Sequence, residues 1–326
     1  MRRLTVVTTL AALAAAAPAA AQDQPAPPAP PAPPAPAQGQ MTVVVDHVGK
    51  LKTTLAGKSF RVRGDVVPYV VGQHVVVRYY RDGKKFRAKR AAVKPGASGK
   101  AGHFKVSLST NVSGRVTVRV TKEATDTQVA LKAPPQRIMV LPAHVTPGAT
   151  GNAVRIMQRR LKALGYVPGK RGTYDARTGR AVLAFRKVTG LSRTSSADHA
   201  FFRRMANGGG VFKIRYPNHG KHVEADLSLQ VIALIDKGKV QRIYPTSSGK
   251  PSTPTVLGHY RFYSKTPGFN SHQMYFSNYF IGGYAIHGYF DVPTYNASHG
   301  CLRIPNADAY SVYQWVKIGD RIDVYP

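Results

Sequence analysis

The chain of 326 residues contains one cysteine, Cys301, with His299 just before it and His287 upstream. The thiolate, not the thiol, is the nucleophile, so a working cysteine needs a nearby base or a positive field. In extended backbone, side chains two residues apart project to one face, which would set His299 and Cys301 on the same wall. His287 is followed by Gly288 and then by a segment containing Pro293 and Asn296, a loop composition that can fold back and bring His287 to the sulfur. Gly300 permits close backbone approach, and the Gly300 and Cys301 amides could face a developing oxyanion. The residues alone therefore argue for a Cys–His acyl-transfer site. Two other readings stay open. A free cysteine is often a small buried hydrophobe. His287, His299 and Cys301 also supply N, N and S ligands of the kind zinc takes, although no Glu is poised nearby as a base.

Two elements, Ile286-His287-Gly288 and Ser298-His299-Gly300-Cys301-Leu302-Arg303, are joined by a short loop and resemble the catalytic motif of the L,D-transpeptidase (YkuD-type) family. Ser247-Ser248-Gly249 and Thr253-Pro254-Thr255-Val256-Leu257-Gly258 resemble further stretches of that domain. The resemblance implies acyl transfer through a thioester at Cys301. The donor would be the carbonyl joining the third residue of a peptidoglycan tetrapeptide stem to its terminal D-alanine. An acceptor amine would give a 3→3 cross-link, whereas water would give L,D-carboxypeptidase activity. His287 is implied as the base, with His299 lining the site. Arg303 would hold a substrate carboxylate or form a structural ion pair. Ser298 would orient a histidine or form a turn. Gly288 belongs to the motif, and Tyr275 and Tyr284 would wall a cleft or join the core. No cofactor is implied.

The elements that must position these residues follow from periodicity. Residues 211–326 alternate as strands, with Val231–Ile235 as a buried strand and one helix over Ala307–Val316. They form a mostly-β catalytic domain. Gly208-Gly209-Gly210 marks a flexible joint. Residues 145–207 turn helical: Val154, Met157, Leu161 and Leu164 recur at helical spacing, Asp175 caps a second helix, and Asp198–Met205 forms a third. This stretch resembles the peptidoglycan-binding-1 domain through Gly148, Gly151, Gln158, Leu164-Gly165-Tyr166, Asp175, Thr178 and Phe185. The third helix departs from that pattern. Residues 134–142 read as a Pro-bounded linker. Residues 41–133 show period-2 alternation with an Asp82-Gly83 hairpin signal, which argues for an immunoglobulin-like β-sandwich. The fold class is thus multidomain: an all-β sandwich, a small three-helix domain and a mostly-β catalytic domain.

Met1–Ala21 has the charged start, apolar stretch and Ala-x-Ala end of an export signal, and Gln22–Gln40 is a Pro/Ala linker of extended character. No later stretch is long and apolar enough to cross a membrane. Lys and Arg number 47 against 15 Asp and Glu, a formal charge of +32. Such a charge favours polyanionic surroundings. With export, these are the anionic polymers of a cell wall, alongside peptidoglycan stem peptides and glycan. Nucleic acid is disfavoured, because the cations are spread over every segment and no nucleic-acid motif is present. A non-enzymatic wall-binding protein is the alternative to an extracytoplasmic, wall-associated enzyme.

Overall fold

A computed structural model describes residues 35–326. The export segment and residues 22–34 of the Pro/Ala stretch lie outside the described residues. The chain then enters β1 (Gln40–Asp46), β2 (Thr53–Leu55), β3 (Ser59–Val67), β4 (His74–Arg81), β5 (Lys84–Ala92), β6 (Lys94–Pro95), β7 (Gly102–Ser109), β8 (Gly114–Lys122), β9 (Leu131–Lys132) and β10 (Gln136–Leu141). Strict alternation decides their arrangement: every second residue of β3, β7 and β8 is buried. One sheet runs β1-β3-β7-β6 and the other β2-β10-β8-β4-β5, with β9 on β8. Phe60, Val62, Tyr79, Phe104, Val106 and Val118 fill the space between them. Asp82 and Gly83 both take positive φ, 47° and 81°, as the two-residue turn between β4 and β5 requires.

The linker expected at 134–142 is instead mostly strand. β10 lies between β2 and β8, parallel to the first and antiparallel to the second. Its Ile138, Val140 and Leu141 are buried, and apolar burial outweighs the breaking effect of the flanking prolines.

Three helices follow: α1 (Asn152–Ala163), α2 (Ala176–Val188) and α3 (His199–Ala206). Asp175 and Asp198 cap the second and third by accepting from the amides of Thr178 and Phe201. The buried Gln158 ties the α1–α2 loop together: its amide donates to the carbonyls of Lys170 and Thr173, and its oxygen accepts from Gly172.

The last third holds β11 (His222–Asp226), β12 (Val231–Asp236), β13 (Lys239–Pro245), β14 (Gly258–Arg261), β15 (Ser264–Phe269), β16 (Tyr275–Ile281), β17 (Tyr284–Tyr289), β18 (Leu302–Pro305), α4 (Asn306–Trp315) and β19 (Arg321–Tyr325). One sheet is ordered β13-β12-β11-β19-β14 and the other β15-β16-β17-β18. Regular structure among the described residues is thus mostly strand, with four helices. None of the helices is long and apolar enough to cross a membrane.

The helical segment is not a separate bead. Its Phe185, Phe201 and Phe202 share one core with Leu55 and Leu141 of the first β region and with Val231, Ala233, Ile235 and Ile243 of the last. Residues 36–326 form one unit by their contacts. The flexible joint expected at Gly208–Gly210 is packed. Gly210 is buried at φ 95°, its carbonyl accepts from the Tyr166 hydroxyl at 2.7 Å, and a Cβ there would lie 2.1 Å from Cε2 of Phe185. Glycine is needed here for close approach rather than for a hinge. Gly210→Ala should therefore cost about 1–3 kcal/mol of stability, read as a lower urea midpoint. A variant as stable as the parent would restore the hinge.

Candidate active site

β17 carries His287, and β18 begins one residue after Cys301. The two strands are parallel, with Ile286 opposite Leu302 and His287 opposite Arg303. The register puts His287 and Arg303 on one side of this pair, and the Arg303 charge acts on both His287 and Cys301, which immediately precedes β18. Gly288 is fixed by packing: a Cβ there would meet the Cβ of Ala309 on α4 at 2.7 Å. This helix covers β17 and holds the His287 strand flat.

The turn into Cys301 is built by neighbours. Gly300 has φ 117°, and a Cβ on it would lie 2.3 Å from Cε1 of Tyr284. Only glycine lets the chain pass under that ring. Ser298 closes the turn: its hydroxyl donates to the Cys301 carbonyl at 2.6 Å and accepts from the Gly300 amide at 3.0 Å. The segment after β13 forms the outer rail. Ser247 and Arg303 exchange two backbone bonds, each 3.0 Å. The Lys250 amide donates to the Ser298 carbonyl, and the Thr255 hydroxyl donates to the Gly300 carbonyl at 2.7 Å.

Burial governs the ionisation. It pushes the His287 imidazole down to about 4, reinforced by the Arg303 charge and opposed by a hydrogen bond to Gly288. Burial also pushes the Cys301 thiol up, against the lowering effects of a backbone hydrogen bond at Ala285 and of Arg303. Both shifts favour the uncharged forms, thiol and imidazole, near neutral pH. His287 Nδ1 lies 2.9 Å from the Gly288 carbonyl. A carbonyl only accepts, so Nδ1 carries the proton and Nε2 is left as a lone pair able to take one. The thiol itself donates to the Gly283 carbonyl at 3.6 Å.

Several expected placements are corrected. His299 does not share the cysteine's wall by extended geometry, because the φ of Gly300 turns the chain between them. Its side chain is exposed, and its Nε2 accepts from the Lys250 ammonium at 3.2 Å. That ammonium also stands where a shared metal ion with His287 and Cys301 would need the Nε2 lone pair. Ser298 bonds backbone and no imidazole. The Gly300 amide is committed to Ser298, which removes it as an oxyanion donor. Arg303 is largely enclosed, stacked over Tyr289 at 4.2 Å with the Asp291 carboxylate 4.0 Å away. Tyr275 sits opposite Gly288 and packs on Phe269 and Phe276. Tyr284 is the tyrosine against the cysteine turn. Lys250 and Thr255 join the site without a place in the cysteine motif to mark them. The Thr-Pro stretch around Thr255 carried the signal without indicating which group it braces.

Two family models match, the L,D-transpeptidase catalytic domain over residues 220–324 and the peptidoglycan binding domain over residues 150–205. A solved L,D-transpeptidase from Xylanimonas cellulosilytica is similar at 34% identity and a TM-score of 0.52, covering 56% of this chain and 98% of its own. The chain belongs to the L,D-transpeptidase family. An L,D-transpeptidase from Stackebrandtia nassauensis matches at 20% identity, 56% and 96% coverage and a TM-score of 0.36. One from Mycobacterium tuberculosis matches at 23%, 33% and 58%, with a TM-score of 0.31. No curated protein matches. Family membership makes this a transpeptidase-type enzyme whose partner is peptidoglycan.

The preference for uncharged forms has a measurable consequence for this L,D-transpeptidase. Alkylation of Cys301 by iodoacetamide should stay slow through neutral pH and rise only above the ordinary cysteine range, since the thiol is held up and the imidazole is uncharged above about pH 4. A rate already on its plateau at pH 7 would reveal a thiolate–imidazolium pair instead.

Proposed function

We propose that this L,D-transpeptidase forms 3→3 peptidoglycan cross-links through a thioester at Cys301, with His287 as the base. The observation that supports the reading is the parallel β17–β18 register, which sets His287 opposite Arg303, two residues after Cys301, with His287 Nδ1 bonded to the Gly288 carbonyl. As the sulfur attacks the carbonyl next to the stem's terminal D-alanine, His287 Nε2 takes the thiol proton. The imidazolium then gives that proton to the departing D-alanine amine. An acceptor amine attacks the thioester, losing its proton to His287, and the thiol is restored. Water in place of the amine gives L,D-carboxypeptidase turnover. The Cys301 amide is the remaining candidate of the two for the oxyanion, since Gly300 is occupied. Arg303 acts as a fixed positive charge beside the sulfur as the oxyanion forms. His299, with Lys250, lines the entrance.

Cys301→Ala should abolish D-alanine release and acyl-adduct formation, followed by intact mass with a tetrapeptide, while thermal unfolding stays close to the parent. His287→Ala should lower kcat by about 10²–10⁴ with little change in KM. His299→Ala should fall by less. Substantial turnover by the Cys301 variant, or a larger loss at His299 than at His287, would defeat this assignment.

The export-signal pattern of Met1–Ala21 supports a location outside the cytoplasm, and the two peptidoglycan-related domains support association with the wall. The charge has a local focus that supports contact with anionic wall polymers. A cleft of about 590 Å³ between α1 and β13 is lined by Arg155, Arg159, Lys162, Arg171 and Arg242. Surface electrostatic attachment fades as the Debye length falls from about 10 Å at 0.1 M salt to about 3 Å at 1 M. Arg155→Glu with Arg159→Glu should reduce sedimentation of the full chain with isolated walls at low salt and leave any salt-resistant retention unchanged. Equal retention of variant and parent at low salt would dismiss the cleft as an attachment site.

A further inference from the structure

Away from Cys301, the outward face of the β13–β14 sheet carries a second convergence of ligating groups. Asp323 on β19 is 1% exposed at its side chain and stands directly opposite His259 on β14. His259 Nδ1 lies 2.6 Å from Asp323 Oδ1. The segment leading into β11 folds over this face and adds His219, whose Nδ1 is 3.1 Å from both carboxylate oxygens. The three ligand atoms lie within 4.8 Å of one another. His219 is thus broadside to the carboxylate, equidistant from its oxygens, rather than aligned on one lone pair.

We propose that His219, His259 and Asp323 form a divalent transition-metal site of the zinc type. Two imidazole nitrogens and one carboxylate are a donor set that zinc accepts, with metal–ligand distances of about 2.0–2.2 Å and a fourth position for water. Tetrahedral ligand atoms at those distances lie roughly 3.3 Å apart, close to the 3.1 Å that His219 keeps from Asp323, while the 2.6 Å His259 contact would widen as the exposed His259 ring swings outward. The ion enters from solvent, because the His259 side chain is 55% exposed. Both rings are held in place by one aromatic. Tyr216 stacks on His219 at 5.0 Å and meets His259 edge-on at 4.9 Å. Tyr216 is itself anchored, since its amide and that of Arg215 donate to the buried Glu224 carboxylate, which also accepts from the Tyr325 hydroxyl. The bound ion would pin the segment before β11 to β14 and β19, so its role is structural.

The test uses the full chain carrying Cys301→Ala, so that no sulfur competes, in equilibrium dialysis against zinc chloride with metal counted per chain. One zinc ion per chain is expected, with a rise in Tm and with tetrahedral-type visible bands when cobalt(II) replaces zinc. Adding His219→Ala and His259→Ala should weaken the binding roughly 100-fold or more and remove the Tm rise. His259→Gln alone, at an exposed position, gives the same direction of change if the double variant folds poorly. The proposal is overturned by zinc binding that the histidine variants leave unchanged, by binding that requires Cys301, or by no binding at all.

Discussion

The two-way backbone bond between Ser247 and Arg303 is the seam on which the catalytic region depends. Ser247 continues from β13, an edge of the five-stranded sheet, and Arg303 belongs to β18, an edge of the four-stranded one. Two edges that would otherwise expose unpaired amides and carbonyls close on each other there. The same closure fixes the residues just before β18. Ser298, Gly300 and Cys301 are held between the rail of Ser248–Thr255 and the ring of Tyr284. A cysteine loop free of that rail would carry the same motif without the geometry, since Gly300 alone permits many conformations.

Enclosure also sets the chemistry. A Cys–His pair can rest as an ion pair or as two neutral groups, and the choice depends on whether attraction outweighs desolvation. Here the fixed charge of Arg303 lowers the thiol's pKa but lowers the imidazole's too, so it does not promote proton transfer within the pair. Burial raises the first and lowers the second, and it dominates both. Both shifts thus favour two uncharged groups over a stored thiolate–imidazolium pair.

Much of this was legible in the sequence. Alternation anticipates the strands of both β regions, and the Asp175 cap sits where the pattern puts it, whereas Asp198, read as the first residue of the third helix, is its cap. The cysteine motif was legible because its chemistry needs fixed residue types at fixed spacing. What escaped was decided by partners distant in sequence. Prolines at 134, 135 and 142 looked like a linker, yet Ile138 and Val140 had a sheet to join. Three glycines looked like a joint, yet Phe185 and Tyr166 close around Gly210. Alternation presumes extended backbone, and the φ of Gly300 breaks it, so His299 faces away from the wall it would otherwise share. Local pattern reports the preference of a segment, whereas packing decides which preference is used.

The helical segment is bound to the same seam. Lys187 of α2 is buried, and its ammonium donates to the carbonyls of Gln230 and Thr246 at 3.0 and 2.9 Å. The Thr246 hydroxyl in turn donates to the Arg303 carbonyl at 2.7 Å. Arg180, also on α2, bonds Asp308 of α4, the helix that packs on the His287 strand. A module tethered by a loop would deliver only a raised local concentration. One locked by a buried cation and a shared core delivers orientation as well. The orientation of the helical segment relative to the Cys301 strand pair is thereby fixed. Burial holds Lys187 down to about 7, mainly by desolvation and secondarily by Arg193. The folded state therefore resists protonation that the unfolded chain accepts up to the ordinary lysine range. This group's contribution to stability thus rises from about pH 7 toward that range, and below it the full cost of the buried charge is borne by the packing around it.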